Sequence, residues 1–350
     1  MSSPRRIVIL AEGRFSPLES KTANQAIRYI PDEVVGVIDS GQAGRTAMQV
    51  LGFGGDVPVY SDLRASLDAR PDTLLIGIAP TGGLLPPEWR PVILEALSER
   101  LNIISGLHTY LADDSEIARS AASNNVTLTD LRKVPPEYEV VAKGSWKSRK
   151  AKTILTVGTD CNVGKMTASV ELHRDFLRRG VASGFVATGQ TGILLSGGGV
   201  AVDSVLSDYI AGAVEREVDR CAAQGHTFIH VEGQGSLTHQ GYSGVTLGLM
   251  HGVMPDAMIL VHHPARRRDD YGLQLDGILS SIALHEMLVA PFKASRVVGI
   301  AVNSALMTST QISAAKKELE RLTGLPVADV LTGERALLSE ALLGYFKGAQ

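Results

Sequence analysis

The sequence predicts an α/β protein of two domains, each a parallel sheet flanked by helices. Three observations carry that expectation. The 350 residues correspond to about two domains at roughly 150 residues each, long enough for each to bury its own core. Short β-branched runs alternate with helical stretches along the chain. The alternation breaks once, over residues 133–150 (KVPPEYEVVAKGSWKSRK), where two prolines and five basic residues replace any apolar periodicity. The expected division is therefore residues 1–135, a linker over 136–150, and residues 151–350.

In the first part, strands are expected at Arg6–Leu10, Glu33–Ile38, Thr73–Ile78 and Asn102–Ile104, with helices over Lys21–Tyr29 and Pro91–Arg100. Two strand ends run into turns, Asp39 to Gly44 and Ala79 to Gly83, where parallel sheets place ligands. Gly41 and Gly44 do not complete G-x-G-x-x-G, and plain turn chemistry is the simpler reading. A second series begins at Thr153 with TILTVG, a loop, and a helix over Lys165–Arg179. Further strands are expected at Ser183–Thr188, Thr227–Glu232, Ala257–His262 and Val297–Val302, and amphipathic helices over Gln311–Thr323 and Glu334–Phe346.

Composition excludes several functions. Thirty-four basic against thirty-seven acidic residues give a net charge of −3, which does not suit nucleic acid as the main partner. Two cysteines, Cys161 and Cys221, form no disulfide framework, so a reducing, cytoplasmic setting is expected. The N-terminal MSSPRRIVILAEGRF is too poor in apolar residues for a signal-peptide core, and no uncharged apolar stretch is long enough to span a membrane. The expected partner is a small molecule, and a homo-oligomer is expected.

The most informative segment is Gly158-Thr-Asp-Cys-Asn-Val-Gly164-Lys165-Met166-Thr167, which follows an apolar run and opens a helix. Its glycines let backbone amides wrap an anion, the helix start adds positive potential, and Lys165 adds a full charge. The expected contacts are Gly158, Thr159, Asp160, Asn162, Val163, Gly164, Lys165, Met166 and Thr167. Five residues rather than four separate the glycines, and Met166 stands where a phosphoryl-transfer loop carries the hydroxyl that holds Mg²⁺. A thioether is a poor ligand for a hard cation, and Thr167 lies about 100° further round the helix. Such a loop suits gripping a diphosphate without cleaving it, and the 3′-phospho-ADP of coenzyme A fits as well as ATP.

This loop resembles that of dethiobiotin synthetase and its relatives, which share the five-residue spacing. GTDCNVGKMT together with ATGQTGIL, VEGQGSL, YSGVTLGLMHG and PDAMILVHH is more closely similar to a bacterial and archaeal family first catalogued as a domain of unknown function. Its members are described as D-glutamate N-acetyltransferases of the DgcN type. The resemblance covers most of the chain. It implies a Rossmann-like domain over residues 1–135, a P-loop domain over 151–350, and acetyl transfer from acetyl-CoA to D-glutamate. It assigns no catalytic roles residue by residue, so these are argued from chemistry.

Glu232 ends an apolar strand and precedes Gly233-Gln234-Gly235. In the dethiobiotin-like relatives a similar Glu-Gly-x-Gly helps hold Mg²⁺. Without the loop hydroxyl, Glu232 is expected to act as a general base for an amine, the alternative being a structural hydrogen bond at a strand end. Gln190, in a glycine-rich turn over Ala187 to Gly192, offers a donor for the thioester carbonyl. Asp203, Asp208 and Glu215 are readable as a metal set or as capping and solvated carboxylates. His251, His262 and His263 have no cysteine partners at zinc-like spacing. Arg266 to Arg268 would suit a substrate carboxylate, the 3′-phosphate of coenzyme A, or plain solvent. Cys161 would be a nucleophile if its pKa were depressed, but direct thioester aminolysis needs no such relay.

The resulting expectation is an enzyme that moves acetyl from acetyl-CoA to the amino group of an acidic amino acid, with no metal required. An ATP-dependent ligase of the dethiobiotin-synthetase kind and a nucleotide-binding regulatory protein are the alternatives.

Overall fold

The computed structural model describes residues 4–78, 80 and 83–348. Of the turn from Ala79 to Gly83, Ala79, Thr81 and Gly82 lie outside the described residues. The chain forms two compact units, one running up to Lys133 and including Ile193–Gly197, the other made of Val134–Gly192 and the chain from Gly198 onward.

The first unit orders β1 (Ile7–Leu10), α1 (Lys21–Tyr29), β2 (Val34–Ile38), α2 (Ala47–Leu51), β3 (Val59–Tyr60), α3 (Leu63–Ser66), β4 (Thr73–Ile76), α4 (Arg90–Ser98), β5 (Asn102–Ser105), α5 (Ser115–Asn124) and β6 (Leu128–Asp130). Its parallel sheet has the order β3-β2-β1-β4-β5-β6, the doubly wound arrangement. Every residue of β1 and β4 is buried, as expected when helices cover both faces of a parallel sheet. Within the turn at Asp39 to Gly44, the Asp39 carboxylate accepts from the Phe15 and Gly41 amides at 2.8 and 2.9 Å. That carboxylate is already engaged in closing the turn.

From Val134 on, the chain orders β7 (Lys152–Gly158), α6 (Lys165–Arg178), β8 (Ser183–Val186), α7 (Gln190–Ser196, counted with the first unit from Ile193), α8 (Ile210–Ala222), β9 (Phe228–Val231), α9 (Ser243–Val253), β10 (Ala257–His262), α10 (Ile278–Val289), β11 (Arg296–Val302), α11 (Ser309–Thr323), β12 (Val327–Asp329) and α12 (Arg335–Gly348). The sheet of the second unit, β12-β11-β10-β7-β9-β8, is also parallel throughout. The chain order turns outward from β7, whose neighbours are β10 and β9. The carboxyl ends of these three strands therefore bring together residues 158–164, 232–239 and 262–266, as the rule for open parallel sheets requires.

Within residues 136–150, expected as a linker, the chain contacts α8: Glu215 accepts from the Lys143 and Ser145 amides at 2.6 and 2.7 Å, and Tyr138 donates to Glu217 at 2.5 Å. The backbone comes so close that a Cβ on Gly212 would stand 1.8 Å from the Val140 carbonyl oxygen. One expectation is corrected: Gln190 to Gly192 do not form a turn but open helix α7, while the Thr188 and Gly189 amides before it bond to the Glu232 carboxylate.

Candidate active site

The loop between β7 and α6 turns through two left-handed positions. Gly164 reaches φ +107° where α6 begins, and Asn162 also adopts a left-handed conformation, at φ +58°. Asn303 at the end of β11 donates to the Val163 carbonyl at 3.1 Å, bracing the loop from outside. Lys165, however, does not stand at the loop edge. Its side chain is turned inward and its ammonium donates to the Asp160 carbonyl at 2.8 Å. Burial lowers its pKa to about 8. Met166 and Thr167 are half-buried on the first turn of α6.

Glu232 follows β9 directly and is 3% exposed. One of its carboxylate oxygens accepts from the Thr188 and Gly189 amides at 3.0 and 3.2 Å, and the other accepts from Gln234 at 2.9 Å. Desolvation outweighs these three donors and pushes the carboxyl up to about 7. Gly233 is obligatory beside it, since a Cβ there would sit 1.7 Å from the Thr156 carbonyl oxygen of β7. The structure brings Glu232 and the Lys165 stem to the same place, that Cβ lying only 3.1 Å from Lys165 Cδ. Gln190 stands next to Gly189 on the first residue of α7 and is half-buried.

His239, which sequence reasoning missed, lies with the loop. Asp160, Cys161 and His239 each present one ligand atom, all within 4.8 Å of one another, and all three side chains are buried. The loop after β9 carries His239 to the same sheet edge as residue 160, and the polar, glycine-rich GQGSLTHQGY after a buried strand was the available signal. Burial pushes the Cys161 thiol up to about 11, so the depressed pKa a nucleophile would need is not found.

Several of the remaining candidates have structural occupations. Arg266 places Nε 2.6 Å from Asp160 Oδ2 and also pairs with Asp270 at 2.7 Å, and Arg268 donates to the Gly272 carbonyl at 2.6 Å. His262 Nδ1 lies 3.0 Å from the Thr159 hydroxyl, and burial lowers its pKa to about 4, so it is neutral. His251 meets the Leu288 carbonyl at 3.3 Å. Glu215, docking residues 143–145, is no metal ligand. No described helix is long and apolar enough to cross a membrane.

Known proteins match this arrangement over both units. The P-loop domain of DUF1611, described as a domain of unknown function, matches residues 140–338, and the Rossmann-like DUF1611 N-terminal domain matches residues 40–134. This chain belongs to the DUF1611 family. A curated relative, the D-glutamate N-acetyltransferase of Tritonibacter scottomollicae, is 39% identical over 329 residues, 93% of this chain and 94% of its own. A second relative of the same name, from Pseudoalteromonas sp, is 38% identical over 271 residues, 76% of this chain and 79% of its own. The crystal structure of a DUF1611 family protein from Anabaena variabilis is 34% identical and superimposes with a TM-score of 0.91, covering 97% of this chain and 99% of that one.

Proposed function

We propose that this DUF1611 protein is a D-glutamate N-acetyltransferase that takes its acetyl group from acetyl-CoA. The observation that carries the reading is the pairing of a phosphate-type loop lacking its usual metal-holding hydroxyl with a buried carboxyl whose pKa lies near 7. The two relatives named for this activity, matched over most of the chain, support it. The thioester is already activated, so the protein must supply a neutral amine, a donor for the developing oxyanion, and positioning.

The amides of residues 158–164 and the Lys165 ammonium hold the diphosphate of coenzyme A. For this, Lys165 exchanges its bond to the Asp160 carbonyl for a phosphate oxygen. Glu232 accepts the proton of the amino group, a role suited to a carboxyl with a pKa near neutrality. Gln190 donates to the thioester oxygen. As nitrogen bonds to the acetyl carbon, the carbon–sulfur bond breaks, the amine proton passes to Glu232, and the coenzyme leaves as a thiolate that is then protonated.

The test supplies isotopically labelled acetyl-CoA and D-glutamate and follows the products by mass spectrometry. Label in N-acetyl-D-glutamate, with no ADP formed from added ATP, is the expected result. ATP-dependent product formation would overturn the reading in favour of carboxylate activation.

A further inference from the structure

Asp160, Cys161 and His239 make a set that acetyl transfer to an amine does not use. Their ligand atoms converge within 4.8 Å of one another, although they come from two different loops. One of those side chains also has unspent capacity. His239 is 2% exposed; its Nδ1 accepts from the Gly241 amide at 3.2 Å, while its buried Nε2 has no hydrogen-bond partner. Asp160 accepts on Oδ1 from the Cys161 amide at 2.7 Å, and its Oδ2 is ion-paired with Arg266 Nε at 2.6 Å. Buried polar atoms are normally satisfied, so the unpartnered Nε2 of a buried histidine in this set calls for a missing partner.

We propose that Asp160, Cys161 and His239 bind one divalent transition metal of the zinc class. Thiolate, imidazole and carboxylate together select such a borderline ion over hard Mg²⁺ or Ca²⁺, which take oxygen ligands. Tetrahedral bonds of about 2.0–2.3 Å set ligand atoms roughly 3.3–3.8 Å apart, so pairs of ligand atoms now within 4.8 Å close in by up to about 1.5 Å. Three protein donors leave one position open.

The surroundings fit the charge. A thiolate and a carboxylate neutralise a divalent ion, the thiol proton leaving to solvent on binding. Arg266 is shared between Asp160 and Asp270, so its charge is balanced by Asp270 while it holds the Asp160 carboxylate. The His239 ring is held between those of Tyr242 and Tyr271, at centroid distances of 4.7 and 5.1 Å. Ligation through Nε2 places the ring proton on Nδ1 and gives up the long bond from Gly241 for a metal–nitrogen bond. Sequence spacing does not mark this set, because the third donor lies 78 residues beyond Cys161 and meets it only through the sheet.

The full-length protein is stripped with chelator, dialysed against Co²⁺ or Zn²⁺, and analysed for metal content and for thiolate-to-cobalt charge-transfer absorption. The wild type is expected to retain about one ion per chain and to show the absorption. Cys161→Ser loses the absorption, and His239→Gln lowers affinity at least about tenfold with its far-UV circular dichroism unchanged. Absence of the absorption from the wild type, a result that requires no variant to fold, overturns the proposal. So does metal retention that Cys161→Ser and His239→Gln leave unchanged. Neither readout depends on acetyl transfer.

Discussion

Lys165 donates its ammonium to the backbone carbonyl of Asp160, five residues earlier in the same loop, at 2.8 Å. The charge that would grip a phosphate is thus held by the loop itself, and a ligand must draw it out.

Lys165→Met, which keeps the stem and removes the charge, is expected to weaken acetyl-CoA binding about 10–100-fold, the equivalent of a charge-assisted contact of ~1.5–3 kcal/mol. Because the free lysine titrates near 8, wild-type affinity falls as pH rises through that value, while the variant's affinity is flat there. Calorimetry from pH 6.5 to 9.5 checks both; equal affinities would remove Lys165 from the cradle.

Glu232→Gln is expected to lower kcat by about 10²-fold or more with little change in acetyl-CoA binding. The amide can offer its oxygen to Thr188 and Gly189 and its nitrogen to a flipped Gln234, so the fold survives. Since Glu232 is a base only when ionised, wild-type activity falls as pH drops through about 7, and that limb disappears in the variant. A near-normal kcat with the limb intact would leave Glu232 as a purely structural carboxylate.

Gly233→Ala forces a Cβ to within 1.7 Å of the Thr156 carbonyl and is expected to destabilise the protein by ~1–3 kcal/mol or more. Gly244→Ala, on helix α9 with nothing within 4 Å of the new Cβ, is expected to gain up to about 1 kcal/mol instead. Urea denaturation of the pair separates close approach from mere loss of a glycine.

His230 is fully buried, neither ring nitrogen has a hydrogen-bond partner, and burial lowers its pKa from 6.5 to about 3. The unfolded chain therefore takes up the proton first, and this group's contribution to stability is lost as pH falls below about 6.5. Glu232 acts oppositely: its raised pKa makes its contribution greatest below about 4.5 and removes it as pH rises through 7. His230→Leu is expected to flatten the acid side of the stability profile measured by thermal unfolding, and an unchanged acid slope would contradict the assignment.

The fold was legible because its signals are local. Apolar runs and glycine-rich strand ends mark β7 and the loop before Lys165, and Ala257–His262 and Lys21–Tyr29 have the predicted bounds. The two-residue β3 and the three-residue, incompletely buried β6 carry too little apolar pattern to stand out, and their places come from pairing with β2 and β5. Residues 134–150 look like a linker because their partners are single carboxylates on α8, such as Glu215, and not a periodic apolar face. The inward turn of Lys165, the raised Cys161 pKa and the approach of His239 all follow from burial at the sheet edge. Burial is set by tertiary packing and leaves no mark on residue spacing.

The most direct test of the account is to incubate the full-length protein with acetyl-CoA and a panel of D- and L-amino acids, reading free thiol release. The account predicts turnover with D-glutamate, weak or absent turnover with L-glutamate and neutral amino acids, and no need for ATP. Thiol release that is indifferent to the amino acid supplied, or absent with D-glutamate, would contradict it.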